Sequence, residues 1–174
     1  FTFGCEGVSG VTQDWSNENT LYATEKGQGK LASYVTVSGG TKNCSFPAHR
    51  KNDAGYYPIG DVNQNKGLKI TFKVSSDKAC TAKLYGEFCK NPASLFSDWC
   101  KLTVNGKDCT SKASMSSGTS WEPSNEFTFL NEISLSAGEN EIIFEVISAT
   151  KTGYNIYGIK LACATGITIE GVAA

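Results

Sequence analysis

Short runs of alternating apolar and polar residues recur along this chain, separated by clusters of glycine, asparagine, aspartate and serine. The runs are rich in β-branched and aromatic residues, and helical periodicity is nearly absent. This pattern is typical of β-strands joined by tight turns. It predicts strands at 30–38, 68–75, 81–88, 100–104, 126–135, 140–148 and 155–163. The fold class is therefore predicted to be all-β, an antiparallel β-sandwich of the jelly-roll type.

The predicted strand 126–135 has an interruption in its pattern. Phe127 and Phe129, and then Ile133 and Leu135, are its candidates for the core side. A β-bulge or bend near Asn131 can separate the two pairs.

Length, charge and hydropathy limit the partners of the chain. At 174 residues it is expected to form one domain, 1–174. Sixteen Lys and Arg stand against 17 Asp and Glu, without a dense basic cluster, so nucleic acid is not expected as a partner. The apolar runs are strand-length, below the roughly 20 residues that span a bilayer, so no membrane partner is expected.

The seven cysteines are numerous for a cytosolic domain, and none of them forms a CxxC motif. The pairs Cys80/Cys109 and Cys89/Cys100 have equal sums of residue numbers, which suggests cross-strand neighbours on two adjacent strands and at least one disulfide. The alternative is a tight hairpin at Asn105-Gly106, which would place Cys109 opposite Leu102. Buried free thiols are the other interpretation of the cysteines.

Several stretches in order resemble a known family. They are "GYYPIGDVNQNKGLKITFKVSSDKACTAKLYGEF", "KLTVNGK", "SLSAGENEIIFEV" and "GYNIYGIKL", spread over roughly 55–161. Their strand-and-turn order is similar to that of carbohydrate-binding modules of families 6 and 35, which are galactose-binding-like jelly rolls. The resemblance implies a non-catalytic module that binds a polysaccharide or oligosaccharide. It also implies a secreted or cell-surface protein, with the chain as a fragment linked to catalytic or anchoring domains.

The resemblance also implies a sugar site in the loops at one end of the sandwich. The matching positions are Trp121, in "SGTSWEPSN", and Asn155, in "GYNIYGIKL", with Tyr57 or Asp61 as a third contact. Tyr154 precedes Asn155 at the mouth of the last predicted strand and is a further candidate sugar contact, and we expect this pair to lean towards solvent. An indole can stack on the apolar face of a pyranose, while an amide donates to and accepts from hydroxyl groups.

Calcium is a possible structural cofactor, largely on the grounds of the resemblance. Such a site needs several converging oxygen ligands, and Glu25 and Asp61 are the candidates. In Tyr157 the chain has a tyrosine where many of these modules carry an aspartate.

Other functions remain open at this point. Trp121 could instead anchor a loop in the core, and the Asn155 side chain could form a hydrogen bond with the backbone of its own loop. The chain could then be a structural or adhesion β-sandwich without a sugar site. A small glycoside hydrolase or esterase is the third interpretation, but His49 is the single histidine and has no neighbouring nucleophile. The chain is therefore expected not to be an enzyme.

Overall fold

The structure, a computed structural model, describes residues 14–89, 94–115, 121–149 and 154–174. Within them it contains two short 3₁₀ turns, Ala48–Arg50 and Phe96–Asp98, and no helix long and apolar enough to cross a membrane. The strands are β1 Asn17–Tyr22, β2 Val35–Ser38, β3 Lys69–Ser76, β4 Cys80–Cys89, β5 Cys100–Val104, β6 Lys107–Asp108, β7 Pro123–Leu135, β8 Gly138–Val146, β9 Ile156–Cys163 and β10 Ile169–Gly171. The predicted all-β class is confirmed.

The strands form two antiparallel sheets. One sheet has four strands in the order β1-β9-β4-β7, and the other has six, in the order β10-β3-β8-β5-β6, with β2 also paired to β3. Strands that are distant in sequence thus become neighbours, as β1 and β9 do when Asn17 pairs with Cys163. The predicted antiparallel jelly-roll sandwich is confirmed.

The core lies between the sheets and follows the alternation of the sequence. In β3, Ile70, Phe72 and Val74 are buried, while the intervening residues are not. Phe72 meets Phe144 of β8 edge-to-face, with ring centroids 5.9 Å apart. Burial of each such apolar side chain contributes about 1.5–3 kcal/mol to the free energy of folding, and this hydrophobic contribution is the main source of stability.

Strand β7 contains a β-bulge that changes which of its residues face the core. Leu84 of β4 pairs with Asn131 and the next residue, Tyr85, pairs with Phe129, so Leu130 is the extra residue. The bulge predicted near Asn131 is confirmed. The core-side prediction for the two phenylalanines is wrong, because the bulge turns Leu130 inward and leaves Phe129 44% exposed. Phe127, also outside the core, is half-buried.

The predicted clustering of four cysteines on two adjacent strands is wrong. Cys80 and Cys89 lie at the two ends of β4 in the four-stranded sheet, whereas Cys100 begins β5 in the other sheet. The Asn105-Gly106 turn closes the hairpin of β5 and β6, so the Cys109 N–H donates to the Leu102 carbonyl at 2.8 Å. Both turn residues have positive φ, 50° and 79°, as a tight hairpin turn requires.

All six cysteines in the described residues are free thiols, so the expected disulfide is not found among them. Cys5 lies outside the described residues. Three of the six thiols, those of Cys89, Cys100 and Cys163, are buried.

Candidate functional site

A cavity of about 290 Å³ opens at the end of the four-stranded sheet where β4 ends and β7 and β9 begin. We call it the end cavity. Its walls come from the loop between β2 and β3, from the residue two places before β7 and from the residue that precedes β9. It is lined by Ser45, Pro47, His49, Arg50, Asp61, Asn63, Trp121 and Asn155.

The loop between β2 and β3 is held in place by a close backbone approach. Gly60 donates its N–H to the Ser45 carbonyl at 2.7 Å. A Cβ at Gly60 would lie 2.6 Å from Ser45 Oγ and 3.0 Å from Pro47 Cδ, so any larger residue there would displace these cavity-lining side chains. Pro47 then leads into the 3₁₀ turn that carries His49 and Arg50 to the cavity.

A buried asparagine fixes the next part of this loop. Asn65 accepts the N–H of Thr41 at 2.6 Å and donates to the carbonyls of Lys42, at 2.9 Å, and Asp61, at 3.1 Å. The Lys42 ammonium lies 3.6 Å from the Asp61 carboxylate in an exposed ion pair. Asn65 thus joins two loop segments and sets the position of Asp61 at the cavity wall.

Arg50 anchors Trp121 at the cavity. The guanidinium donates from Nη1 to the Trp121 carbonyl, and its Cζ lies 5.9 Å from the centroid of the indole ring. A cation at this distance interacts favourably with the ring face. Trp121 is half-buried, so part of its indole remains available to a ligand.

Asn155 lies deeper than a solvent-leaning residue would, with 6% of its surface exposed. Its Oδ1 is 3.5 Å from the Val62 N–H, a long hydrogen bond, and its side chain also contacts the Cys89 thiol. Its backbone carbonyl accepts the Cys89 N–H at 2.9 Å. Asn155 therefore forms part of the cavity floor, and the predicted outward lean of this residue is wrong.

Below the floor, Tyr157 supports Arg50 from the core. Its hydroxyl donates to the Arg50 carbonyl at 2.6 Å and lies 3.5 Å from the Cys89 sulfur. Burial raises the pKa of both Tyr157 and Cys89 above their ordinary values. Both groups are therefore neutral at neutral pH, and Arg50 supplies the positive charge on this side of the cavity.

The structure brings together three of the five predicted sugar contacts, because Trp121, Asn155 and Asp61 all line the end cavity. Tyr57 does not line it, and the Tyr57 carbonyl accepts the hydroxyl of Thr24 at 2.9 Å. Tyr154 is 1% exposed and belongs to the core, so its predicted solvent-leaning position is wrong. Its ring centroid lies 5.7 Å from that of Trp99, which is also buried.

The two predicted calcium ligands do not come together in a carboxylate-rich site. Glu25 pairs with Lys30 at 3.3 Å, and Asp61 pairs with Lys42. The described ranges contain no group of three or more His, Cys, Asp or Glu residues placed to hold a metal ion. The residues therefore do not fit a carboxylate-rich calcium site, and calcium binding stays a prediction.

The sequence interpretation missed five of the lining residues of the cavity, which are Ser45, Pro47, His49, Arg50 and Asn63. Arg50 was not singled out, and His49 was considered only as a histidine without a neighbouring nucleophile, whereas both line the cavity. The sequence offers one weak signal for them: they follow a proline, and proline commonly starts a helical turn. Nothing local indicates that this turn packs beside Trp121, 71 residues further along the chain.

No protein-family model matches the chain, and no curated protein matches its sequence. Solved structures match its fold. A native family 35 carbohydrate binding module from Clostridium thermocellum has a TM-score of 0.62 and 15% identity, with 86% of this chain and 100% of that one covered. Xyl-CBM35 in complex with a glucuronic acid containing disaccharide has a TM-score of 0.58 and 13% identity, covering 80% and 98%.

A third similar structure is longer than this chain. The Podospora anserina GH26-CBM35 beta-(1,4)-mannanase matches with a TM-score of 0.52 and 18% identity, covering 85% of this chain and 28% of that one. At such identities the likeness establishes the fold alone. The jelly roll implied by the sequence resemblance is confirmed by it.

Proposed function

We propose that the chain is a non-catalytic glycan-binding module whose sugar site is the end cavity. The observation that carries this proposal is the convergence of Trp121, Asn155 and Asp61 on one cavity at the loop end of the sandwich. An indole, an amide and a carboxylate together supply an apolar stacking surface and fixed hydrogen-bonding groups. These are the two kinds of contact that a pyranose ring needs.

The size and charge of the cavity restrict the kinds of sugar that it can bind. A volume of about 290 Å³ is close to the lower bound of roughly 300 Å³ for small-molecule sites, which suits one sugar unit better than a long chain segment. The Arg50 guanidinium is a planar donor that matches a carboxylate. We therefore expect a ring that bears a carboxylate, a uronic acid, to bind more tightly than a neutral ring. The disaccharide in the similar Xyl-CBM35 structure contains such a ring.

The lining of the cavity also supports binding without catalysis. Most glycoside hydrolases need two carboxylates flanking the scissile bond. Among the described residues that line the end cavity, Asp61 is the one carboxylate, and it is paired with Lys42. The Cys89 thiol below the floor is kept protonated by burial, which makes it a poor nucleophile.

The proposal includes the cellular location of the protein and its linkage to other domains. Glycan binding suits a secreted or cell-surface protein in which the module holds a linked catalytic or anchoring domain near polysaccharide. The similar mannanase structure, whose name joins GH26 to CBM35, supports a linked arrangement.

Trp121→Ala is the substitution that tests the site. We expect affinity for a glucuronic acid disaccharide to fall by about 1–2 kcal/mol, roughly 5- to 30-fold, because the stacking surface is lost. Isothermal titration calorimetry after a glycan array measures the change. Trp15→Ala is the matched control, because Trp15 is also half-buried but meets Lys83 on the four-stranded sheet instead of the cavity.

The melting temperature separates the sugar site from a structural role. We expect both tryptophan variants to melt close to the parent protein. A large drop for Trp121→Ala with unchanged glycan affinity would show that Trp121 only packs. That result would favour the alternative of a structural or adhesion β-sandwich without a sugar site in the end cavity.

A further inference from the structure

A second cavity, of about 190 Å³, lies on the outer face of the four-stranded sheet. We call it the sheet-face cavity. Three of its lining side chains stand in one row across the sheet: Tyr22 of β1, Glu87 of β4 and Phe127 of β7. Gly158 of β9 lies in the same row, between Tyr22 and Glu87. Gly158 carries no side chain, and the Tyr22 and Phe127 rings lean together over the row, with centroids 6.4 Å apart.

The charged group of this cavity is Glu87, a carboxylate with 2% of its surface exposed. Its Oε1 accepts a hydrogen bond from Asn52 Nδ2 at 2.8 Å. Within the described residues no lysine, arginine or histidine forms an ion pair with it. Burial of a carboxylate without a cation is unfavourable, and a group kept in that state at a cavity is a candidate for ligand binding.

A second carboxylate adds to the negative charge of the sheet-face cavity. Asp53 lines it, with its N–H held by Asn125 Oδ1 at 2.7 Å, and the Asp53 charge acts unfavourably on ionised Glu87. Lys160 is close, 5.1 Å from the Phe127 ring centroid, but its ion pair is with Glu18 at 3.5 Å. The cavity thus has two negative groups for a positive ligand to pair with.

Two aromatic side chains, Tyr22 and Phe127, also line the cavity. Tyr22 stacks on Tyr56, with ring centroids 3.8 Å apart, and Phe127 completes the wall. The negative faces of such rings attract cations, and the same rings can pack against the apolar face of a sugar. Asn125 at the rim uses its Oδ1 for Asp53, which leaves its amide N–H groups to face a ligand hydroxyl.

We propose that the sheet-face cavity is a second binding site, which takes the protonated amine of a non-acetylated amino sugar. The ammonium group pairs with Glu87 and Asp53 beside the aromatic rings. The sugar ring fills the rest of the small cavity, and its hydroxyl groups face Asn125. The site shares no lining residue with the end cavity, so it does not depend on the proposed function of that cavity.

Titration with a glucosamine trimer tests the site, with the N-acetylglucosamine trimer as the uncharged comparison. The parent protein is expected to bind the glucosamine trimer at least roughly tenfold more tightly, because acetylation removes the charge. Glu87→Gln is expected to lose at least that factor, while Trp121→Ala retains binding. Glu132→Gln, an exposed carboxylate on β7, is the matched control and is expected to bind like the parent.

Any one of these binding results would overturn the assignment: no saturable binding of the glucosamine trimer, equal binding of the two trimers, parent-like binding by Glu87→Gln, or loss in Trp121→Ala alone. n-Butylamine tests whether the charge is sufficient. If it competes as well as glucosamine, the cavity recognises an amine without its sugar, and the amino-sugar assignment is wrong. Asp53→Asn serves as a second variant because Asp53 is exposed, and it is expected to weaken glucosamine binding.

Glu87→Gln is expected to fold, because a glutamine amide oxygen can keep the Asn52 hydrogen bond. Burial raises the pKa of Glu87 above its ordinary value of 4.5, so the folded state binds more protons than the unfolded state in the window above that value. Stability of the parent should therefore fall as pH rises through this window, and the variant should lack that fall.

Urea unfolding at several pH values measures this difference. Other charged or titratable groups near Glu87 are Asp53 and Tyr56 from the loop, Tyr22 from β1, and Tyr157 and Lys160 from β9, and all are present in both proteins. Equal or higher stability of Glu87→Gln at neutral pH supports a carboxylate retained for binding. A strong loss of stability would show that the charge holds the fold and would contradict the proposal.

Discussion

Tyr154→Ala is expected to destabilise the fold by about 3–5 kcal/mol, the range for removing a large aromatic side chain from a core. The ring is 1% exposed and packs between Phe88, at 6.3 Å, and Trp99, at 5.7 Å. Its removal leaves a cavity in an aromatic cluster that also includes Phe96. Urea unfolding measures the loss as a lower midpoint at an unchanged slope.

Two further variants separate packing from other roles of Tyr154. Tyr154→Phe keeps the ring and removes the hydroxyl bond to Ser94, so a loss of only about 1 kcal/mol is expected. Tyr85→Ala removes a half-buried tyrosine from the outer face of β4 and is expected to cost much less than Tyr154→Ala. Normal stability of Tyr154→Ala together with lost glycan binding would restore the sequence prediction that Tyr154 contacts sugar.

The error over Tyr154 and Asn155 has a long-range cause. Alternation along β9 correctly places Ile156 in the core, but it assumes that the start of the strand is open to solvent. In the fold, the Ile59 N–H donates to the Ile156 carbonyl at 2.8 Å, and the Val62 N–H faces Asn155. A loop more than ninety residues earlier thus covers the mouth of the strand. No pattern within the strand carries that information.

The bulge in β7 shows what a local pattern does and does not fix. The polar Asn131 between apolar pairs was sufficient to predict an irregularity. Which residues the bulge turns towards the core was not predictable, since a shift of one residue moves side chains to the opposite face of the sheet. Because Leu130 turned inward, Phe127 became part of the sheet-face cavity. The residues of that cavity therefore had no signature in the sequence pattern.

For the cysteine segments, the local turn signal predicted strand pairing better than the equal sums of residue numbers did. Equal sums of residue numbers are consistent with pairing only if the two segments are adjacent strands. The Asn105-Gly106 turn instead pairs β5 with the short β6, and β4 joins the other sheet. The alternative hairpin in the sequence interpretation is confirmed because it rested on backbone conformation, which acts over four residues.

One loop serves both cavities, which gives the two sites a common structural origin. Arg50 lines the end cavity, while Asn52 and Asp53 line the sheet-face cavity. On β4, Glu87 faces the sheet-face cavity and Cys89 lies against the floor of the end cavity, with pairing irregularities between these two residues. Bulges of this kind re-aim side chains near functional sites. The resemblance to carbohydrate-binding modules could predict the end cavity, whereas Arg50 could be found only from the folded loop.

Arg50→Ala is expected to lower the affinity for a glucuronic acid disaccharide by about 2–3 kcal/mol, more than the loss of Trp121. The substitution removes the donor that matches a carboxylate. It also removes two contacts between Arg50 and Trp121, the hydrogen bond to the Trp121 carbonyl and the cation–π contact. For a neutral disaccharide only the second effect applies, so the loss should be smaller. Isothermal titration of both ligands measures the difference.

Arg50→Lys and Lys51→Ala complete this experiment. Lysine keeps the charge but lacks the planar fork, so an intermediate affinity for the acidic ligand is expected. Lys51 is the exposed neighbour of Arg50, and its removal tests whether any nearby positive charge has the same effect. Parent-like binding by Lys51→Ala is expected. If Arg50→Ala weakens acidic and neutral ligands equally, Arg50 acts only by positioning Trp121, and the preference for a uronic acid is wrong.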